Sequence, residues 1–490
     1  MDKLKKITCF ISVVLLIVLM GCGEKPENIT QADELPAIYP DYTGVTIPAE
    51  IAPLNFTWEG EADHLYAVVE DEAGNRMEAG GKKDVRFQVK TWHKMLDANK
   101  GKSLQVTVMR KTDDNWIAYK PFAIHVSPCP IDFGLCYRLI APGYEAYSKM
   151  GIYQRSLSDF KQTALIENTL VPGSCVNCHS FKQTDTRYMN LHIRGSHGGT
   201  LLRQENKNEL LSLKTAELIS AGVYPYWHPS GKYIAYSVNQ TQQSFHTHAN
   251  ERVEVFDHES DVIVYDIEQN RILTSPLLST DGFETFPSFS PDGETLYFCC
   301  AEQRKLPEEA KEVRYNLCSI AFDSQRGAFG ERIDTLVYAS ANQKSASIPR
   351  PSYDGKYIMY GLADYGSFFI WHNEADLWLL DLTSGEQRPL TEANSPFAES
   401  YHSWSSNSHW FVFASRRDDG LYTRLYLSSI DEEGKISKPF LLPQRNPAVN
   451  DPSFFSYNVP EFVSSPVKMD IREVERKILS DERKQAVISK

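Results

Sequence analysis

The chain has 490 residues, 42% hydrophobic and 12% aromatic, and a formal net charge of −13. Acidity of this size argues against nucleic acid or an anionic lipid surface as partner. The length exceeds what one core serves and predicts two or three domains. Scattered Gly and Pro, with little helical periodicity before residue 465, exclude a helix-rich fold and predict an all-β protein.

In chain order, Lys3, Lys5 and Lys6 precede an apolar run from Ile7 to Met20, too short to span a bilayer comfortably. The next residues, "LMGC" (19–22), resemble the bacterial lipobox, which implies a signal peptide over 1–21 and acylation of Cys22. An uncut N-terminal anchor is the competing reading. Residues 22–45 are polar and Pro-containing and read as a tether. The expected location is the bacterial cell envelope, as an outer-membrane lipoprotein facing either side.

Residues 46–126 hold alternating runs ("LNFTWEG", "HLYAVVEDEAGNRMEAG", "DVRFQVK", "SLQVTVMRK", "WIAYKPFAIHV") between turn signals. That spacing predicts an immunoglobulin-like β-sandwich. From 220 to 465, four segments repeat: "PYWHPSGKYIAYS", "PSFSPDGETLYFC", "RPSYDGKYIMYGL" and "HSWSSNSHWFVFA". Each is strand, tight turn, strand, with Gly231, Gly293, Gly355 or Ser408 in the turn, and each is followed by a second pair of strand signals. Four strands per unit at about 50 to 60 residues predict propeller blades. Residues 127–219 read as a further blade interrupted by a cysteine motif, and "YNVPEFV" (457–463) as a strand that closes the ring or belongs to a sixth blade; five or six blades both fit. Residues 466–490 read as a charged, helix-prone tail.

The motif is Cys175-Val176-Asn177-Cys178-His179. C-x-x-C-H is the spacing of c-type haem attachment: two thiols add across the two vinyl groups of one porphyrin, and the adjacent histidine is aimed at the iron. A zinc site would need a second ligand pair, and no other C-x-x-C exists. A thioredoxin-type pair belongs to an α/β unit that the chain lacks. The expectation is one covalently bound haem c, with Cys175 and Cys178 as thioethers and His179 as proximal iron ligand. Distal candidates are His192, Met189 and His197, in that order, beside an open sixth position; on a strand Arg194 shares a face with His192 and could pair a propionate.

Other cysteines suggest a Cys129–Cys136 bridge and one from Cys318 to Cys299 or Cys300. His246, His248 and His258 sit in an acidic segment that reads as a solvated loop or a metal site. Arg416-Arg417 and Trp371-His372, near Glu374 and Asp376, read as blade packing or as groups facing a propionate or the axial channel. No catalytic elbow, phosphate loop or carboxylate pair stands out.

The hairpin repeats resemble the TolB-like propeller repeat, best at Phe289-Ser290-Pro291-Asp292-Gly293 and least at Ser405–Ser408. With "CVNCHSF", "YGSFFIWHNEADLWLLDL", "SRRDDGLYTRLYL" and "YNVPEFV", the chain resembles lipoproteins, chiefly of Bacteroidetes, that embed a cytochrome c motif in such a propeller. The resemblance implies a fold and a cofactor and no settled reaction. Three functions follow from these readings. The first is electron transfer with a redox protein or envelope complex as partner. The second is a binding or assembly lipoprotein with a structural or sensory haem. The third is a haem reductase or peroxidase with an open iron face.

Overall fold

The computed structural model describes residues 25–113, 115–141, 149–245, 252–449, 454–480 and 482–489. The signal segment, Cys22, His246 and His248 lie outside these. No helix among the described residues is long and apolar enough to cross a membrane. The protein is all-β, built from several open sheets with two short α-helices among the described residues. It divides into two compact units: residues up to 128 with 443–453, and 129–442 with 454–490.

In the first unit a seven-stranded sheet is accompanied by a three-stranded one (Ile38–Tyr39, Phe56–Trp58, Asp84–Val85). Two expectations change here. Much of the 22–45 tether is folded: Ile29–Gln31 pairs with Trp116–Ala118, and Tyr42 and Val45 are fully buried. The "DVRFQVK" run is a strand only to Val85, and the chain then turns into a helix over Val89–Ala98. Trp92, Met95 and Leu96 recur at helical spacing and are the buried face of that helix.

The second unit holds five sheets, one of them a nine-stranded sheet whose two halves, III and IV, are joined by one pair, so that six strand groups, I to VI, follow one another. Sheet I pairs Gln162–Glu167, Met150–Ser156 and Gly134–Ile140 with the distant Ser456–Val463. Sheet II runs Ser174–Lys182, Asp185–Gly195, Gly199–Gln204, Lys207–Ser212. Residues 127–219 therefore supply parts of two sheets where the sequence suggested one, and the cysteine motif is itself a strand, not an insertion between strands. Sheets III (from Val223) and IV (from Phe283) touch through a single pair, Ser260 with Phe283. Sheets V (from Ser345) and VI (from Glu399) each have four strands.

The repeated turns explain why sheets III to VI look alike in sequence. Gly231, Gly293, Gly355 and Ser408 all donate their N–H to the residue three back, at 2.9–3.0 Å. All four have φ between 58° and 79°, which a glycine adopts freely and a serine tolerates less well. In sheets IV to VI the turn serine also bonds the following Asp or Asn: Ser290 to Asp292, Ser352 to Asp354 and Ser405 to Asn407. The first strands of sheets II to VI and Ser456–Val463 of sheet I contact one another in cyclic order, so the six strand groups surround one axis. The tail crosses the outer edges of two neighbours: Lys484–Gln485 pairs with sheet II and Val487–Ile488 with sheet III, after a helix (Ile471–Leu479) capped by Asp470.

Candidate functional site

A cavity of about 570 Å³ lies within the ring of inner strands. This is the size of an ordinary small-molecule site. Its wall is shaped by one device repeated around the axis. In each inner strand two residues oppose one on the neighbouring strand, as in a β-bulge. Cys178, Tyr224, Phe286, Ile348 and Val459 each adopt φ of 48–54° there. Such backbone is costly for bulky and β-branched residues, and five copies around one space mark a wall that the surrounding sheets hold in place.

The sequence signature of this device is short: N-C-H-S-F, V-Y-P-Y-W, T-F-P-S-F, S-I-P-R-P, S-Y-H-S-W and N-V-P-E-F. Proline occupies the third place in four sheets, and His179 and His402 occupy it in the other two. The second place (Cys178, Tyr224, Phe286, Ile348, Tyr401, Val459) forms a collar that lines the cavity.

The bulge changes what the cysteine motif can do. On a regular strand, residues three apart face opposite sides. Here Asn177 pairs with His192 and Ser180 with Asn190, so Cys178 and His179 together oppose Leu191 and the alternation is reset. Cys175 and Cys178 consequently both line the cavity. The Cys175 thiol also lies 3.3 Å from the Met150 sulfur.

His179 lines the same space and is 2% exposed. Burial pushes its pKa down to about 4, so the ring is neutral at ordinary pH. The Cys136 backbone lies beside the ring, yet neither ring nitrogen makes a hydrogen bond of normal geometry.

Five arginines line the cavity (Arg138, Arg194, Arg252, Arg350, Arg416), and no Asp or Glu does so among the described residues. Arg138 donates to Asn177, and Arg350 lies over Tyr226. Arg416 is 1% exposed, with its guanidinium carbon 3.2 Å from the Trp371 ring centroid.

The remaining sequence candidates are placed as follows. Arg194 lines the cavity opposite Cys175. Met189 does not: it faces the apolar core between sheets I and II, with Ile152, Val176 and Leu191. His192 lies on the same strand and face as Arg194, is buried, with Nδ1 3.5 Å from the Thr200 hydroxyl, and does not line the cavity either. His197 lies in the turn between strands and its carbonyl accepts from Arg483. His258 bonds Gln242, and His372 bonds Glu254 at 3.2 Å. Arg417 pairs with the buried Glu399 at 3.1 Å, outside the cavity lining. Cys136 is a free thiol in the core of sheet I, so the Cys129–Cys136 bridge is absent. Cys299 and Cys300 face opposite sides of their strand, and the Cys300 and Cys318 sulfurs approach to 2.9 Å without a bond.

No family model matches the chain, and no curated protein matches it. Similar solved structures include an oligogalacturonate lyase in complex with manganese, 11% identical over 63% of this chain and 74% of the lyase, with a TM-score of 0.36. Prolyl oligopeptidase B from Galerina marginata is 11% identical over 80% of this chain, which spans about half (54%) of the peptidase, with a TM-score of 0.35. A DUF4784 family protein from Bacteroides caccae is 10% identical over 74% of this chain and 97% of that one, with a TM-score of 0.27. Likeness at this level assigns neither activity nor family.

These findings correct the resemblance to TolB-like cytochrome lipoproteins. Among the similar structures are a lyase, peptidases, glycosidases and a DUF4784 family protein, none of these described as TolB-like. No cluster of three or more His, Cys, Asp or Glu able to hold a metal ion occurs among the described residues, so Cys175, Cys178 and His179 do not form one. The repeated turns that carried the likeness are generic hairpin chemistry: any sheet that needs a tight reversal selects Ser, Asp and Gly at those places.

Proposed function

We propose that the chain is a single-haem electron carrier of the bacterial cell envelope, tethered through Cys22. Its second unit would be a six-bladed β-propeller closed by Ser456–Val463, and its first an immunoglobulin-like module. The observation that carries the reading is the reset alternation in the inner strand of sheet II, which puts both thiols of one C-x-x-C-H motif on the wall of one cavity.

The residues present fit a porphyrin. Cys175 and Cys178 supply two thiols, and His179 supplies a neutral imidazole whose buried nitrogens are unspent. A buried polar atom without a partner costs on the order of 1–3 kcal/mol, which an axial bond would recover. The collar residues Tyr224, Phe286 and Tyr401 offer aromatic faces, and the arginines offer charge for carboxylates. Bound there, a haem would supply one-electron exchange. The chain's own part would be to hold the cofactor through Cys175 and Cys178, offer it a His179 nitrogen and exclude water around it. Neither His192 nor Met189 lines the cavity, so no distal ligand is assigned to them.

The test is a mass measurement and a visible spectrum on full-length protein matured in a host able to attach haem. The expected result is one tetrapyrrole adduct on the peptide holding Cys175 and Cys178, with the sharp absorption bands of a c-type haem. A colourless protein of unmodified mass overturns the reading and leaves a binding scaffold.

A further inference from the structure

The arginines raise a question that the thiols do not answer. Arg416 is almost completely buried, and a buried cation without a counter-ion costs several kcal/mol after relaxation. Its partners are few. One terminal nitrogen donates to the Leu421 carbonyl at 2.7 Å, the guanidinium stacks on Trp371, and Nε has no hydrogen bond. Asp419, the acid whose field acts on it, is engaged by the N–H groups of Leu421 and Tyr422 at 2.7 and 2.8 Å. Arg252, from another sheet, adds a like charge. Burial lowers the Arg416 pKa to about 9, so the group remains charged at neutral pH. Among the described residues the cavity wall holds this cation and no carboxylate, which gives it the electrostatics of an anion site.

We propose that Arg416, stacked on Trp371 and joined by Arg252, is a carboxylate-recognising subsite, and that the cavity selects ligands with a flat apolar body and acidic substituents. The apolar body meets the Tyr224 and Phe286 rings, which stack on each other at 4.2 Å, while the acid group meets the guanidinium. The subsite rests on the arginines and stands without the thiols, so it holds whether the acid belongs to a covalently attached cofactor or to a free ligand. It deepens the reading above by naming the chemical class that the cavity takes.

The experiment uses the full chain with Cys175→Ser and Cys178→Ser, which cannot attach a porphyrin. Metal-free protoporphyrin IX and its dimethyl ester, which differ only in the two acid groups, are titrated by quenching of tryptophan fluorescence. The acid is expected to bind about tenfold or more tightly than the ester, the worth of one charge-assisted hydrogen-bonded contact. Arg416→Gln should abolish most of that preference and leave ester binding unchanged. Arg252→Gln, at a half-exposed position, should reduce it in part and covers the case in which the Arg416 variant does not fold. Equal binding of acid and ester overturns the proposal, as does an equal loss for both ligands in a folded arginine variant. A native chain that never acquires a tetrapyrrole, with the acid preference intact in the double-serine variant, removes the haem reading and leaves the subsite standing.

Discussion

Sheets II and VI solve the same local problem with the same residue type and reach different outcomes. In both, a histidine stands in the sequence where proline stands in the other four, but His179 lies within the bulge whereas His402 is paired with Phe413 just after it. In sheet VI the His402 ring is hydrogen-bonded: Nδ1 lies 2.9 Å from the Ser400 carbonyl and Nε2 3.0 Å from the Met359 carbonyl of the sheet before it, and the neutral ring donates its one N–H to one of the two. In sheet II the corresponding carbonyl neighbour is Cys136, and neither His179 nitrogen makes a normal bond. The residues preceding them differ as well, Tyr401 in one and Cys178 in the other. A repeated fold can thus hold a histidine by hydrogen bonds in one copy and leave its ring nitrogens without them in another. The distinguishing mark is whether the ring's hydrogen bonds are satisfied.

The largest effect should come from removing what only sheet II has. Cys175→Ser with Cys178→Ser is expected to eliminate any tetrapyrrole adduct completely, read by mass, while the urea midpoint stays close to that of the native chain. The next should come from removing what sheet VI depends on. His402→Ala removes the one N–H that the neutral ring donates to a buried carbonyl and opens a void, for an expected loss of about 2–4 kcal/mol in urea unfolding. His179→Ala should cost less, about 1–2 kcal/mol, because only packing is lost. Equal losses in the two variants would erase the contrast.

A third test uses pH, since sheet I contributes a buried carboxyl beside the inner strand of sheet II. Glu461 accepts the Phe181 N–H at 2.9 Å, and burial, opposed by Arg350, pushes its pKa up to about 7. The folded protein therefore holds a proton that the unfolded chain has already lost. Stability falls as pH rises from the ordinary carboxylate range to about 7, and the deficit is complete above that. Glu461→Gln keeps the acceptor oxygen and removes the titration. It should match the native chain near pH 4 and exceed it by on the order of 3 kcal/mol at pH 8, in parallel urea titrations. The buried histidines act in the opposite sense. His179 and His402 are depressed to about 4 and His192 to about 3, so their contribution is lost as pH falls below about 6.5; it is common to both chains and cancels in the difference. A flat difference between the two proteins across this range would show that Glu461 is not held protonated.

What could be read from the sequence follows the range of the interactions involved. The turns at Gly231, Gly293 and Gly355 announce themselves because a tight reversal needs particular residues within four positions, and even Ser408 was recognisable by its neighbours. The helix over Val89–Ala98 was hidden because Val85 and Phe87 alternate like a strand just before it. The division of residues 134–212 into two sheets depends on a partner more than 300 residues away, as in the pairing of Leu135 with Phe462, and no local pattern encodes that. The collar was hidden for another reason. A proline inside a strand is ordinarily a mark of an edge or a strand start, so Tyr224-Pro225, Phe286-Pro287 and Ile348-Pro349 carry no local sign that they are the wall of the site.

The smallest expected effect is the most direct trial of the comparison between sheets. His179→Pro gives sheet II the residue that sheets I, III, IV and V carry at this place, where Tyr224, Phe286, Ile348 and Val459 before the proline already share the φ of Cys178. The bulge leaves this residue outside the ladder pairing, so the lost N–H removes no strand hydrogen bond. Proline also reduces the freedom of the unfolded chain, which offsets part of the packing lost with the ring. The net change should stay within about 1 kcal/mol, measured by urea unfolding. His402→Pro should cost more than 2 kcal/mol because one carbonyl, of Ser400 or Met359, loses its donor and because this residue is paired with Phe413 in the ladder. If His179→Pro proves as damaging as His402→Pro, the His179 ring is structural, and its unspent nitrogens no longer argue for an iron ligand.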